Sequence, residues 1–196
     1  MRYAVLLCAF AVAAPLVCAN AADTLAIREA VYGDLPDGPK TDVTKVVAAF
    51  VREGVLRIEA GNNLFGDPAE QVGKQLKVGY ELNGTPGEAV VREGETLLVP
   101  MPVLKGELKI LAAEYGDLPG GPSEDVLGTV KLYLKDNRFE IDVENYLLGD
   151  PASGVFKRLR VEYSIGDVKL AKSAYEGGTL VIEVPGEEKP EANKAE

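Results

Sequence analysis

The chain has no histidine and no tryptophan, and its only two cysteines, Cys8 and Cys18, stand close to the N-terminus. Without His, the Ser-His-Asp and Cys-His nucleophile systems, ordinary zinc sites, blue copper and His-ligated haem are excluded. Iron–sulfur clusters fall with the cysteines. No glycine-rich turn is followed by Gly-Lys-Ser/Thr, and no dinucleotide fingerprint follows a strand pattern. Paired carboxylates are the one hydrolytic apparatus the residue types permit. No Trp is present as a platform for a sugar ring, so no enzyme activity, no catalytic residue and no cofactor are expected.

Basic residues are scarce as well, 21 Lys and Arg against 31 Asp and Glu, for a formal net charge of −10. A surface of that sign repels phosphate backbones and anionic lipid heads, so nucleic acid is not expected as a partner. The one long apolar run, Tyr3 to Val17, follows Arg2 and leads into Ala19-Asn20-Ala21. A positive start, an apolar middle and small residues at the peptidase positions predict a signal peptide over 1–21, cleaved between Ala21 and Ala22. The run is shorter than the roughly 20 apolar residues a span needs, so no stable membrane span is expected after its removal. Val17 and Pro15 occupy places where a lipoprotein signal has a small residue and Leu, which argues against an anchor on Cys18. The expectation is an exported protein, periplasmic or secreted, that reaches stability by packing without disulfides.

Past that leader the chain repeats itself. Tyr32-Gly33-Asp34-Leu35-Pro36 returns as Tyr115-Gly116-Asp117-Leu118-Pro119, and the same offset of 83 residues holds without a gap. Gly66-Asp67-Pro68-Ala69 meets Gly149-Asp150-Pro151-Ala152; Lys74, Leu76, Val78 and Tyr80 meet Lys157, Leu159, Val161 and Tyr163; Glu93-Gly94 meets Glu176-Gly177. Two tandem domains are expected, 22–102 and 103–186, joined near Met101-Pro102-Val103. An acidic tail over 187–196, poor in apolar residues, is expected to be disordered. Small domains of this size bury too little surface to be robust alone, so the copies are expected to pack on each other.

Hydrophobic period gives the coarse elements. Leu25 to Tyr32 and Leu108 to Tyr115 read as strands ending at a Gly-Asp-Leu-Pro turn. Asp42 stands at a helix N-cap position, and Val43, Val46, Val47, Phe50 and Val51 mark one helical face closed by Gly54. In the second copy Gly128, Thr129 and Val130 leave helix and strand open over 126–134. Leu56 to Glu59, Phe139 to Val143, Leu76 to Leu82 and Leu159 to Ile165 alternate as half-buried strands, with hairpin turns at Asn83-Gly84 and Gly166-Asp167. The fold class expected is mainly β, α+β at its border, with one short helix per repeat and two tandem antiparallel, sandwich-like domains.

Asn62-Asn63-Leu64-Phe65-Gly66-Asp67-Pro68 and Asn145-Tyr146-Leu147-Leu148-Gly149-Asp150-Pro151 are the most suggestive stretches. Asn and Asp oxygens around a glycine bend are the chemistry of a hard-cation site, which makes Asp34, Asn62, Asp67, Asp117, Asn145 and Asp150 the metal candidates. The spacing lacks the dense oxygen pattern of an EF-hand. Gly, Asp before Pro and self-capping Asn also build such a turn with no ligand, and the structural reading is preferred. Lys74 and Lys157 follow the two aspartates at matching distance and are expected as surface ion-pair partners. Tyr32, Tyr80, Tyr115 and Tyr163 are expected in the core with the hydroxyl at its edge.

The succession Ala30-Val31-Tyr32-Gly33, Asp42-Val43-Thr44, Phe65-Gly66-Asp67-Pro68, Lys74-x-Leu76-x-Val78-x-Tyr80 and Leu97-Leu98-Val99-Pro100 resembles the C-terminal domain of the mitochondrial DnaJ-like C11 family. That module is a domain of unknown function, and the likeness covers the first copy nearly end to end. The second copy departs at Asp125-Val126-Leu127, where Thr is lost. The family's domain accompanies a J-domain and membrane-organising complexes. This chain, lacking His, has no His-Pro-Asp signature, so the resemblance does not imply an Hsp70 partner and carries over no catalytic residue. The expectation is an exported, non-catalytic interaction module making protein or envelope contacts, its partner unidentified. The alternatives are a carbohydrate- or calcium-binding module and, behind it, a carboxylate-based hydrolase.

Overall fold

A computed structural model describes residues 23–184. The leader, both cysteines, the Ala21/Ala22 junction and the acidic tail lie outside the described residues.

The first copy opens with β1 (Leu25–Gly33) and β2 (Lys40–Asp42), then α1 (Thr44–Ala48), β3 (Val51–Arg52), β4 (Val55–Glu59) and α2 (Asn62–Phe65). It closes with β5 (Gln75–Leu82), β6 (Thr85–Arg92) and β7 (Thr96–Val99). The second repeats that order as β8 (Leu108–Gly116), β9 (Ser123–Asp125), α3 (Leu127–Lys131), β10 (Leu134–Lys135), β11 (Arg138–Asp142) and α4 (Asn145–Leu148). Its last strands are β12 (Arg158–Ile165), β13 (Val168–Tyr175) and β14 (Thr179–Glu183).

Each copy builds one four-stranded and one three-stranded sheet from its own strands. The orders are β2-β1-β5-β6 with β3-β4-β7, and β13-β12-β8-β9 with β10-β11-β14. All pairings are antiparallel. The fold is mainly β and sandwich-like, as the alternating segments predict. Tyr32, Leu76 and Val78 from the larger sheet meet Leu56, Ile58, Leu97 and Val99 from the smaller one in the first core. Tyr115, Leu159 and Val161 meet Phe139, Ile141 and Leu180 in the second. The β5–β6 hairpin turns through two residues, Asn83 at φ 51° and Gly84 at φ 80°, the left-handed pair that a tight hairpin matched to strand twist requires.

Three sequence expectations need correction. The helix after Asp42 is only five residues long: Val43 and Val47 are buried, but Val46 and Phe50 are exposed and Val51 already pairs with Leu56. The Phe50 amide reaches back only three residues, to the Val47 carbonyl, and this tight turn swings Phe50 off the apolar stripe. Each copy also has a second short helix, α2 and α4, where the Asn-rich stretch predicts only a turn. Between 126 and 134, where the pattern leaves helix and strand open, the chain is helical over Leu127–Lys131 before β10 begins. Asp42 and Asp125 are not the N-caps: Val43 and Val126 hold those positions without a side-chain bond, and each aspartate, last in β2 or β9, accepts instead from the amide two residues on, Thr44 at 2.9 Å and Leu127 at 2.8 Å. Those bonds from Thr44 hold the exposed Asp42 carboxyl below its usual range.

The copies are equivalent in order but not in burial. The outer face of β12 and β13 receives the β7 edge of the first copy. Ser173 Oγ donates to the Glu93 carbonyl at 2.6 Å, the Ala171 amide donates to Thr96 Oγ1 at 3.0 Å, and Arg160 forks onto Glu59 at 3.1 and 2.7 Å. Leu98 belongs to the second copy's core cluster. The matching face of β5 and β6 is open and carries Lys77 paired with Glu88, and exposed Val90, where the second copy has Arg160, Ala171 and Ser173. Small residues on one face and a charged pair on the other make the docking one-sided.

Candidate functional site

In each copy the Gly-Asp-Pro loop leaves its short helix through a glycine in a conformation that disfavours a side chain, Gly66 at φ 77° and Gly149 at φ 86°. The loop then wraps a lysine. Lys74 Nζ lies 3.1 Å from Asp67 Oδ1 and 3.4 Å from Glu93 Oε2, and donates to the carbonyls of Ala69 at 3.2 Å and Val72 at 3.0 Å. Lys157 repeats this with Asp150 at 2.9 Å, Glu176 at 3.2 Å, Ala152 at 3.3 Å and Val155 at 3.0 Å. The expectation of surface pairs is wrong for both: Lys74 and Lys157 side chains are 3% and 2% exposed. Enclosing the butyl stem in the loop is what brings the ammonium to the carbonyls, and only the aspartate end of the pair reaches water.

Of the residues proposed as cation ligands, Asn62 and Asn145 instead accept the hydroxyls of the buried tyrosines, Tyr32 at 2.9 Å and Tyr115 at 2.8 Å. Asp67 and Asp150 bind the lysines. Asp34 and Asp117 close their own turns, the side chain lying against Gly38 or Gly121 so tightly that a Cβ there would sit 2.2 Å from the carboxylate. Among the described residues no three His, Cys, Asp or Glu side chains gather as a metal site. The position a cation would take is filled by an ammonium in each copy. Added Ca²⁺ and added chelator are therefore expected to leave the melting temperature unchanged, and a calcium-dependent rise would contradict this assignment of the loop oxygens.

Burial, reinforced by the Glu93 charge, raises the Tyr32 phenol far above its ordinary value. Burial likewise pushes Tyr115 up to about 12, helped by Glu176, and Tyr163 to about 12, helped by Glu95. For Lys157 burial pulls the other way, but Asp150 and Glu176 outweigh it and the net shift is upward. These shifts share one sign. Above about pH 10 the unfolded chain loses phenolic and ammonium protons that the folded chain keeps, so stability is full below that value and declines as pH rises towards 12. With no His to titrate near neutrality, the urea midpoint is expected to be level from about pH 6 to 9 and then to fall. A midpoint unchanged at pH 11.5 would contradict the buried placement of these tyrosines.

The second copy's docking turns one of the two lysine loops into the wall of a cleft of about 530 Å³. Asn62, Asp67, Lys74 and Glu93 come from the first copy; Asp117, Pro119, Phe156 and Tyr175 come from the second. Of the candidates named from sequence, the cleft therefore unites Asn62 and Asp67 with Asp117, across the copies. Asp34, Asn145 and Asp150 are not on its wall. Gly73 makes the approach possible: a Cβ there would stand 2.6 Å from the Tyr175 hydroxyl. The same position in the second copy is Phe156, whose ring stacks on Tyr175 at 5.6 Å and 8° and is 68% exposed.

Glu93 closes the floor. Its side chain is 4% exposed; Oε2 meets Lys74 and, at 3.4 Å, Arg158 Nη1, while Oε1 has no hydrogen-bond partner among the described residues. Arg158 Nη1 also donates to the Glu93 carbonyl at 3.2 Å, and its guanidinium lies 5.8 Å from the Tyr175 ring centre. Glu176, the counterpart of Glu93, has no copy docked over it and is 21% exposed.

The chain is thus a β-rich, sandwich-like protein whose repeated loops are locked internally, with a two-sided cleft where the copies meet. No family model, curated protein or solved structure matches it. Among the described residues no helix is long and apolar enough to cross a membrane.

Proposed function

We propose that this chain is an exported, non-catalytic interaction module that makes protein or envelope contacts through the cleft between its copies. The observation that carries this is the contrast between spent and unspent groups. The polar groups that would supply chemistry, Lys74, Asp67, Lys157 and Asp150, are tied to one another and to loop carbonyls. A carboxylate-based hydrolase needs one carboxyl free to hold a proton, whereas both carboxylates of each loop share one ammonium. Phe156 in contrast presents an open aromatic face beside the cleft, in an orientation fixed by stacking on Tyr175. Exposed aromatic anchors of that kind dominate contact energies.

Co-sedimentation of the protein with isolated envelope fractions tests this. Phe156→Ala is expected to lower the bound fraction severalfold. Tyr146→Ala, which removes an equally exposed ring on α4 away from the cleft, is expected to leave it unchanged. Equal binding by all three proteins would refute the cleft as the contact site.

A further inference from the structure

The cleft has the chemistry of a site for an uncharged, hydroxyl-rich ligand, and we infer that it binds a neutral saccharide whose hydroxyl donates to Glu93 while its ring packs on Phe156. This rests on the cleft being the contact site and names what that site takes.

The unpaired Glu93 Oε1 sets the requirement. A buried carboxylate oxygen without a donor costs about 1–3 kcal/mol, and Glu93 is buried by the docking of the second copy, since the equivalent Glu176 remains in reach of water. The donors that reach the carboxylate are committed, and Arg158 Nε, itself without a partner among the described residues, does not reach Oε1. The Tyr32 hydroxyl lies close enough to Glu93 to feel its charge but donates to Asn62 Oδ1, and Lys74 serves two carboxylates and two carbonyls. Arg158 Nη1 serves the carbonyl and Oε2 of Glu93. A donor entering the cleft that Glu93 lines would supply the missing partner.

Charge decides which donor. Glu93 already lies within 3.4 Å of an ammonium and of a guanidinium. A metal ion or an amine at Oε1 would stand beside two cations at close range, whereas a hydroxyl adds a hydrogen bond and no charge. Asp67 and Asp117 also line the cleft, and a carboxylate keeps accepting capacity beside the bonds it already makes. Phe156 and Tyr175 supply the apolar side, a stacked pair whose outer face suits the C–H face of a sugar ring. The cleft volume of about 530 Å³ lies inside the range of small-ligand sites, roughly 300–1,000 Å³. Oε1 is sealed from solvent, so binding includes a turn of the carboxylate towards the cleft that Glu93 lines.

Titration calorimetry of the full chain with maltose, cellobiose and chitobiose in the millimolar range, with spermidine and CaCl₂ as cationic comparators, tests the inference. At least one disaccharide is expected to bind at one site per chain, because only one of the two lysine loops is covered. Phe156→Ala and Glu93→Gln are each expected to weaken it about tenfold or more, equivalent to about 1.4 kcal/mol, and Tyr146→Ala to leave it unchanged. The inference is overturned if no disaccharide binds, if two bind per chain, if neither variant weakens binding, or if spermidine binds in their place. Loss of envelope binding in Phe156→Ala without any saccharide binding would retain the cleft as the contact site and discard only the saccharide.

Discussion

Replacing Lys74 with Ala is expected to remove about 3–5 kcal/mol of folding stability, the range for breaking a buried ion pair from one side. In a protein of this size that lowers the melting temperature by about 10 °C or more. The magnitude follows from what remains behind. Asp67 turns to solvent at little cost, but Glu93 stays buried with only Arg158 opposite it, and the carbonyls of Ala69 and Val72 lose their donor. Lys157→Ala deletes an identical set of bonds where both carboxylates reach water, so its cost is expected to be smaller, about 1–3 kcal/mol. Urea denaturation of the two variants beside the parent gives the comparison. Equal losses would mean that the cover supplied by the second copy does not alter the burial of Glu93.

Replacing Arg158 with Ala is the second large effect, and it separates docking from loop closure. Arg158 is the counterpart of Gln75, so nothing in the repeat itself calls for a cation there. Its guanidinium holds Glu93 at both backbone and carboxylate and lies against Tyr175, which bridges back to Gly73. Because its own Nε lacks a partner among the described residues, part of the gain is already offset. The expected loss is therefore below that of Lys74→Ala, about 2–3 kcal/mol. A double-mutant cycle with Glu93→Gln is expected to give a coupling of about 1–3 kcal/mol. A coupling near zero would show that the pair is a neighbour contact with no part in holding the copies together.

Sequence pattern was informative wherever a physical period or a special backbone angle dictated the residue. The strand alternations, the Asn83-Gly84 hairpin and the core tyrosines Tyr32 and Tyr115 all follow from such rules. The repeat also drew attention to Asp67, Lys74 and their counterparts. It gave the wrong environment for the lysines, because a run of loop residues does not reveal that it closes over a side chain. The cleft escaped detection for a different reason. Glu93 was only one match among many, and Phe156, Arg158, Ser173 and Tyr175 occupy positions where the copies differ, as Gly73, Gln75, Val90 and Arg92. Agreement between copies marks what each needs to fold. Their disagreements at Gly73/Phe156, Gln75/Arg158 and Arg92/Tyr175 mark where one meets the other, and that signal was present in the sequence.

Everything proposed for the cleft depends on the copies being held as one body. The absence of tryptophan allows a direct test, since a single Trp can report on each copy in turn. Phe50→Trp places the probe at a partly exposed site in the first copy, and Phe156→Trp at an exposed one in the second. Urea unfolding followed by the fluorescence of each variant is predicted to give coincident transitions, with the same midpoint and slope. Two separated transitions, with one copy melting while the other persists, would contradict the interlocked arrangement and the cleft with it.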